Sequence, residues 1–275
     1  MSRVEIVAVI PARMASSRFP GKPLLEVRGL PMVEHVRRRA LLCGRFAEVV
    51  VATCDREIAE TIARYGGRCV LTSPSHPAAT DRVAEAAQGM KATHIVNVQG
   101  DEILVLPEDL GRLVAAIEAD AEAPAWNAVA RLERSGELSN RSLVKCAVSG
   151  SGRMLYCMRD VSPLGTALDG TWEPLRVVLG ILAYRRDFLL RYGTLSRMPL
   201  ERAEAVDQWR ILEHDVPLRT VEFSRGYPGI NDPCDAAQVE CWLDDDPRQR
   251  DALSAVLAHG QAPASAAETE GGRRR

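Results

Sequence analysis

The sequence predicts an α/β fold in which helices cover both faces of a mostly parallel central sheet. Short apolar, β-branched runs alternate with helical patterns throughout the first half, beginning with Glu5–Ile10 and Met32–Cys43. The 275 residues are 46% hydrophobic and 26% charged, a composition typical of a globular protein with a substantial core. In an open sheet of this kind, ligands bind beyond the carboxyl ends of the strands.

The elements follow one another in a regular order. In the first half we predict strands at Glu5–Ile10, Glu48–Ala52, Arg68–Leu71 and His94–Val98, and helices at Met32–Cys43, Glu57–Tyr65, Thr80–Met90 and Pro107–Ala119. Beyond Trp126 we predict strands at Ala128–Leu132, Val144–Val148, Met154–Cys157, Val177–Tyr184 and Leu218–Phe223, and helices at Leu200–Leu212 and Cys234–Leu243. The second half therefore adds strands to the sheet and builds a smaller, β-rich lobe.

The charge balance excludes some classes of partner. The formal net charge of -2 gives no general attraction to nucleic acid or to a membrane surface, so any phosphate site must be local. The apolar run near the N-terminus is too short for a signal segment or a membrane span, and we expect a cytoplasmic protein. Residues 261–275 are rich in Ala, Gly, Glu and Arg and are predicted to be a disordered tail.

The segment Pro11–Lys22 is the first candidate site. It follows a predicted buried strand and combines small residues with the cations Arg13, Arg18 and Lys22. Small side chains let backbone N–H groups approach anionic oxygens, and the cations add charge-assisted hydrogen bonds, so a triphosphate fits this loop. Neither the Walker A spacing nor GxGxxG is present. The alternative is a surface turn that is merely basic.

A second candidate site is Gln99-Gly-Asp101-Glu102, at the carboxyl end of a predicted strand. It offers an amide, a flexible glycine and hard carboxylate oxygens, which Mg²⁺ prefers in combination with substrate phosphate oxygens. The alternative is an acidic turn that caps a helix.

These motifs resemble those of one enzyme family. The N-terminal pattern PARxxSxRxPGKPL, followed by GxPMxxHV at Gly29–Val36, is similar to that of the CMP-KDO synthetases (3-deoxy-manno-octulosonate, KDO, cytidylyltransferases). The resemblance covers about Ile6 to Leu243 and includes further motifs at Val51–Thr53, Thr80–Glu85, Val96–Glu102, Val144–Lys145, Tyr156 with Arg159, Leu179–Ile181 and Gln208 with Arg210. It implies a Rossmann-like nucleotidyltransferase fold in a single domain, residues 1–260, with a nucleotide-binding half of about 1–125 and an acceptor and dimerisation half of about 126–260.

The resemblance also implies a reaction. An acceptor oxygen attacks the α-phosphorus of CTP, and pyrophosphate leaves; cations and Mg²⁺ supply the charge neutralisation that such a displacement needs. Arg13, Lys22 and Asp101 are then the catalytic residues. The implied CTP-binding residues are Pro11, Ala12, Arg13, Ser17, Arg18, Lys22, Thr80, Arg82 and Gln99. Asp101 is the implied Mg²⁺ ligand, and a second ligand falls on Asn231 by strict alignment or on Asp232 if the loop shifts. A homodimer is expected from the resemblance.

The acceptor half departs from the family pattern. Arg159, Asp207 and Gln208 are kept, but Val178 and Leu182 replace a histidine and a tyrosine that face the sugar acid. An unpaired sugar hydroxyl against an apolar wall costs about 1–3 kcal/mol. We therefore expect a smaller anionic acceptor, such as the phosphonate phosphonoformate in a natural-product pathway, with KDO as the alternative.

Two other functions are weighed. A hexose-1-phosphate nucleotidyltransferase is disfavoured because the GxGxR loop is missing. An inactive, CTP-binding regulatory homologue would explain an asparagine at the second metal position, Asn231.

Overall fold

The computed structural model describes residues 4–16, 18–161 and 175–259. Its strands are β1 (Ile6–Ala12), β2 (Glu26–Val27), β3 (Leu30–Pro31), β4 (Glu48–Thr53), β5 (Arg68–Leu71), β6 (His94–Val98), β7 (Ala125–Arg131), β8 (Lys145–Val148), β9 (Met154–Met158), β10 (Leu175–Arg185) and β11 (Leu218–Glu222). Its helices are α1 (Met32–Leu42), α2 (Arg56–Arg64), α3 (Ala79–Ala87), α4 (Pro107–Ala119), α5 (Gly136–Ser139), α6 (Arg186–Tyr192), α7 (Pro199–Glu204), α8 (Gln208–Leu212), α9 (Asp235–Asp245) and α10 (Pro247–Ala258), with a 3₁₀ turn at Lys22–Leu24.

Most strands form one mixed sheet in the order β11-β7-β10-β6-β1-β4-β5, and β8 pairs with both β10 and β9. The strands β6, β1, β4 and β5 are parallel, so their carboxyl ends lie along one edge. β10 runs antiparallel between β6 and β7. Strands from both predicted halves of the chain thus hydrogen-bond within one sheet, and the predicted α/β class is confirmed.

Helices cover both faces of this sheet, as predicted. One core cluster joins alternate residues of β1 to α1, α2 and α4, through contacts such as those of Val36, Ile62 and Leu113. A second cluster on the opposite face joins the strands to α3, α6 and α8, through residues such as Val83 and Ile211. Alternation along β1 explains this division, because successive side chains of a strand point to opposite faces.

A third apolar cluster lies beside the sheet. It brings Ile103, Leu104 and Leu106, which follow β6, against Val239 of α9 and Ala252 of α10. The last two helices therefore pack on the loop that carries the predicted metal motif.

The structure corrects several predicted elements. The helix predicted at Leu200–Leu212 is two short helices, because the chain turns at Ala205, whose φ of 51° is left-handed. The helix α10 was not predicted, although Pro247 and the Asp246 N-cap form a typical start. The predicted tail, residues 261–275, lies outside the described residues. In the parts of the chain that the structure describes, no helix has the length and apolar character needed to span a membrane.

Candidate active site

The N-terminal loop begins where β1 ends, between the parallel neighbours β4 and β6. Pro11 and Ala12 are buried in the strand itself, whereas Arg13 is exposed. The backbone N–H of Met14 donates a 2.8 Å hydrogen bond to the carboxylate of Asp55, which follows β4. The loop after a neighbouring strand therefore fixes the start of the predicted phosphate loop. Ser17, predicted to bind CTP, lies outside the described residues.

The far end of the loop meets the predicted metal motif. The Lys22 ammonium lies 2.8 Å from Oδ2 of Asp101, and their side chains are 13% and 22% exposed. Two residues that the sequence places in separate motifs thus form one partly desolvated ion pair. Such a pair puts a cation and a carboxylate within reach of the same phosphate group.

Arg18 joins the same loop to the segment after β11. Its guanidinium donates a 3.0 Å hydrogen bond to Oδ1 of Asn231 and lies 3.6 Å from Oδ2 of Asp232. The Asp235 carboxylate accepts hydrogen bonds from the backbone N–H groups of both Asn231 and Asp232, at 2.8 and 2.9 Å. Asp235 therefore shapes the turn that presents the two candidate metal ligands.

A close backbone approach brings this turn against the metal motif. A Cβ atom on Gly229 would lie 2.7 Å from the carbonyl oxygen of Asp101, so only glycine fits there. Asp101, Asn231 and Asp232 therefore belong to adjoining loops. Among the described residues, no three His, Cys, Asp or Glu side chains form a metal-binding group. Hard oxygens from few protein residues suit Mg²⁺, which keeps waters and phosphate oxygens as further ligands.

Gln99 and Glu102 lie against Gly180 of β10. The Glu102 carboxylate accepts a 2.7 Å hydrogen bond from the Gly180 N–H, and a Cβ on Gly180 would collide with Glu102 and contact the Gln99 amide. Burial, with the nearby Asp101 charge, raises the pKa of Glu102 to about 7. We predicted the Glu102 carboxylate as one of the hard oxygens of the metal motif; in the structure it hydrogen-bonds to Gly180 and so ties the motif to the neighbouring strand.

Thr80 and Arg82, at the start of α3, make contacts within the protein. The Thr80 hydroxyl donates a 2.9 Å hydrogen bond to the Asp207 carboxylate, whose pKa is raised by burial. Arg82 is 3% exposed and donates to the Thr72 hydroxyl and, at 3.3 Å, to the Ser73 carbonyl. The structure thus connects Thr80 to the predicted acceptor residues and engages Arg82 with the segment after β5.

Leu182 of β10 lies between two buried asparagines, one on each neighbouring strand. Asn97 of β6 and Asn127 of β7 are the register partners of Leu182, one on each side. Gln208 donates a 2.7 Å hydrogen bond to Oδ1 of Asn127, whose own amide donates to the Leu179 carbonyl at 3.1 Å. The Asn97 amide is fully buried and has no hydrogen-bond partner among the described residues.

The two aliphatic residues predicted to contact the acceptor differ in exposure. Leu182 is 1% exposed and belongs to the second core cluster, while Val178 is half-buried and packs against that cluster.

Arg159 lies in the smaller lobe, where hydrogen bonds to backbone carbonyls hold its side chain. Its guanidinium donates to the carbonyls of Glu204, at 3.0 Å, and of Arg141, at 3.2 Å. The buried Lys145 ammonium donates three hydrogen bonds to carbonyls, including a 2.6 Å bond to Arg159. Burial lowers the pKa of Lys145. Lys145 therefore fixes the backbone of Arg159, one of the residues predicted to bind the acceptor.

Several of these residues were missed by sequence reasoning. Asn97 and Asn127 are single amides within apolar strands, and that contrast was a usable signal. Asp235 had a weaker signal, as an acid three residues beyond Asp232. Asp55 had none, because its contact with Met14 depends on the neighbouring strand.

Comparison with known proteins finds a family model and sequence relatives that cover most of the chain. The family model described as Cytidylyltransferase matches residues 7–218. A 3-deoxy-manno-octulosonate cytidylyltransferase of Geobacter metallireducens is 39% identical over 248 residues, which cover 86% of this chain and 96% of that protein. The protein of the same name from Myxococcus xanthus is 41% identical over 244 residues, covering 88% of this chain and 98% of that protein.

A solved structure agrees with these sequence relatives. It is described as CMP:2-keto-3-deoxy-manno-octonic acid synthetase complexed with CTP, and it superposes with a TM-score of 0.82 at 33% identity. The match covers 88% of this chain and 99% of that one.

Proposed function

The chain belongs to the 3-deoxy-manno-octulosonate cytidylyltransferase family and is a CTP-dependent nucleotidyltransferase, and from this premise we propose that it transfers CMP from CTP to KDO. The relatives described above are named for this sugar acid. Their names favour KDO over the phosphonate acceptor that Val178 and Leu182 led us to expect.

The observation that carries the proposal is the convergence of three loops. Lys22 pairs with Asp101, Arg18 reaches Asn231 and Asp232, and Gly229 lies directly against the Asp101 backbone. Cations from one loop and hard oxygens from two others thus surround one place at the sheet edge. Phosphoryl transfer needs this combination, because most of its catalysis is positioning and charge neutralisation.

The residues have separate tasks in this reaction. Lys22 and Arg13 bind the β- and γ-phosphates, and they stabilise the charge that develops on pyrophosphate as it leaves. Asp101, with Asn231 or Asp232, would hold Mg²⁺, which supplies Lewis-acid stabilisation of the phosphate oxygens. Arg159 and Gln208 orient the acceptor, Arg159 through the acceptor's carboxylate.

The reaction with KDO forms one bond and breaks another. A KDO hydroxyl oxygen bonds to the α-phosphorus and releases its proton to water, while the bond from the α-phosphorus to the bridging oxygen of the leaving pyrophosphate breaks. Pyrophosphate leaves, and the product is CMP-linked KDO.

A phosphonate acceptor is the second candidate, and one observation favours it. Val178 offers no hydrogen-bonding atom at the place where the resemblance implies a histidine facing the sugar acid, and an unmatched hydroxyl there costs about 1–3 kcal/mol. That range corresponds to a loss of about 5- to 150-fold in kcat/KM for a polyhydroxylated acceptor. The hypothesis of an inactive CTP-binding homologue loses its support, because membership of an enzyme family favours catalysis.

A single assay tests the proposal. The protein is mixed with CTP, Mg²⁺ and either KDO or phosphonoformate, and pyrophosphate release is measured. We expect release with KDO that Asp101→Ala abolishes, while Glu118→Gln, a change at an exposed ion pair with Arg45, leaves it intact. Release with phosphonoformate and none with KDO would replace the first candidate by the second. No release with either acceptor would contradict both.

A further inference from the structure

The loop that carries Asp101 continues into a buried segment without regular structure. Between β6 and α4 the residues Ile103, Leu104, Val105 and Leu106 are at most 5% exposed and belong to neither a helix nor a strand. Backbone carbonyls buried in such a segment have no ladder partners, so they need donors from elsewhere in the fold.

Two buried side chains supply these donors from opposite ends of the chain. Gln249 of α10 donates from Nε2 to the Leu104 carbonyl at 2.8 Å. Arg39 of α1 donates from Nη1 to the Val105 carbonyl at 3.1 Å. Both side chains are fully buried. Two consecutive carbonyls just beyond the metal motif are therefore held by two different helices.

A buried arginine that served only to pack at position 39 would lower the stability of the protein. Its Nε and Nη2 atoms have no partner among the described residues, and burial lowers its pKa to about 10. An uncompensated charge in the core costs stability, and an apolar side chain of similar size would avoid that cost. A requirement to hold the Val105 carbonyl gives a reason for the guanidinium at this place.

The helix α10 is also tied to α1 directly. Arg38 donates a 2.9 Å hydrogen bond to the carbonyl of Val256, near the C-terminal end of α10. The family model ends at residue 218, so the match does not extend to α10. The contact of Gln249 with Leu104 nevertheless connects that helix to the loop that carries Asp101.

We propose that Gln249 and Arg39 are positioning residues. They clamp the Leu104 and Val105 carbonyls, respectively, and thereby hold Asp101 in its catalytic place. The clamp itself is a property of the folded protein. Its effect on turnover rests on the proposed function.

Hydrogen exchange of the protein without substrate tests the clamp. The amide of Val105, which donates to the Glu102 carbonyl at 3.1 Å, reports on the loop. In Gln249→Leu, which keeps the side-chain size and removes the donor, we expect exchange at Val105 to rise about tenfold or more. In Val256→Ala, a buried change on the same helix, we expect exchange at Val105 to rise no more than global stability accounts for.

Arg39→Met is the second variant, in case Gln249→Leu does not fold. It removes the other donor together with the buried charge, so we expect a stable protein whose Val105 amide also exchanges faster. Exchange at wild-type rates in every folded variant would overturn the clamp.

Turnover measured with CTP and KDO tests the positioning role. We expect kcat to fall about tenfold in Gln249→Leu, with a smaller change in KM for CTP, because the loop is mispositioned while the phosphate-binding cations remain. Faster exchange with unchanged kcat would overturn the positioning role. If the wild type releases no pyrophosphate with any acceptor, the proposed function fails and the exchange result still decides the clamp.

Discussion

Lys22 and Asp101 lie 79 residues apart in the chain and form a 2.8 Å ion pair at the carboxyl edge of the sheet. The ion pair neutralises both groups. In the proposed function Lys22 binds the phosphates from this place, so little reorganisation is needed.

We therefore expect Lys22 to stabilise the charge that develops on pyrophosphate in the transition state. For Lys22→Met we expect kcat/KM to fall about 10²–10³-fold, the usual loss when one oxyanion-binding donor is removed. Steady-state pyrophosphate release measures this. Lys91→Met removes an exposed lysine outside the candidate site and serves as the matched control. A loss smaller than threefold for Lys22→Met would exclude a catalytic role for this side chain.

The two candidate ligands after β11 can be separated by mutation. A carboxylate binds Mg²⁺ better than an amide, so we expect Asp232→Asn to raise the Mg²⁺ concentration for half-maximal activity about tenfold. Asn231→Ala should change it less than threefold. A magnesium titration at saturating CTP gives both values, and the reverse order would place the amide oxygen of Asn231 on the metal.

Asn97 and Asn127 should respond oppositely to the loss of their amides. The Asn97 amide is buried without a partner among the described residues, so we expect Asn97→Val to raise the free energy of unfolding by about 1–2 kcal/mol. Asn127→Val should lower it by about 1–3 kcal/mol, because the partner Gln208 is left unsatisfied. Urea denaturation measures both. Destabilisation of Asn97→Val by more than 1 kcal/mol would mean that this amide has a partner.

We expect the buried His35 to make the stability of the protein depend on pH. The ring is fully buried and its Nε2 lies 2.7 Å from the Val27 carbonyl, and burial lowers its pKa to about 4. The unfolded chain binds a proton at about pH 6.5 and the folded protein does not, so stability is present above that pH and is lost as the pH falls toward 4.

A comparison of wild type with His35→Gln isolates this contribution. Between pH 7.5 and pH 5 we expect the wild type to lose about 2 kcal/mol more unfolding free energy than the variant. Urea denaturation at the two pH values supplies the numbers. Equal losses in the two proteins would mean that His35 titrates normally in the folded state.

Local patterns in the sequence determined the α/β class and predicted the phosphate loop and the metal motif. Alternating strand and helix periods, small residues beside cations at Pro11–Lys22, and carboxylates at Asp101 and Glu102 are all short-range features. These features can be predicted from sequence because each lies entirely within one strand, one loop or one turn of the chain. The helix pair α7 and α8 was harder to predict, because a single left-handed residue, Ala205, divides a continuous helical pattern.

Only the tertiary structure decided which of these groups meet. The contact between Gln249 and Leu104, which are 145 residues apart, cannot be predicted from the sequence. The same holds for the contacts of Arg18 with Asn231 and Asp232. The sequence by itself predicted phosphate-binding and metal-binding residues. Sheet order and the packing of α1 and α10 decided how they converge, because these contacts form only when distant segments bury their apolar faces together.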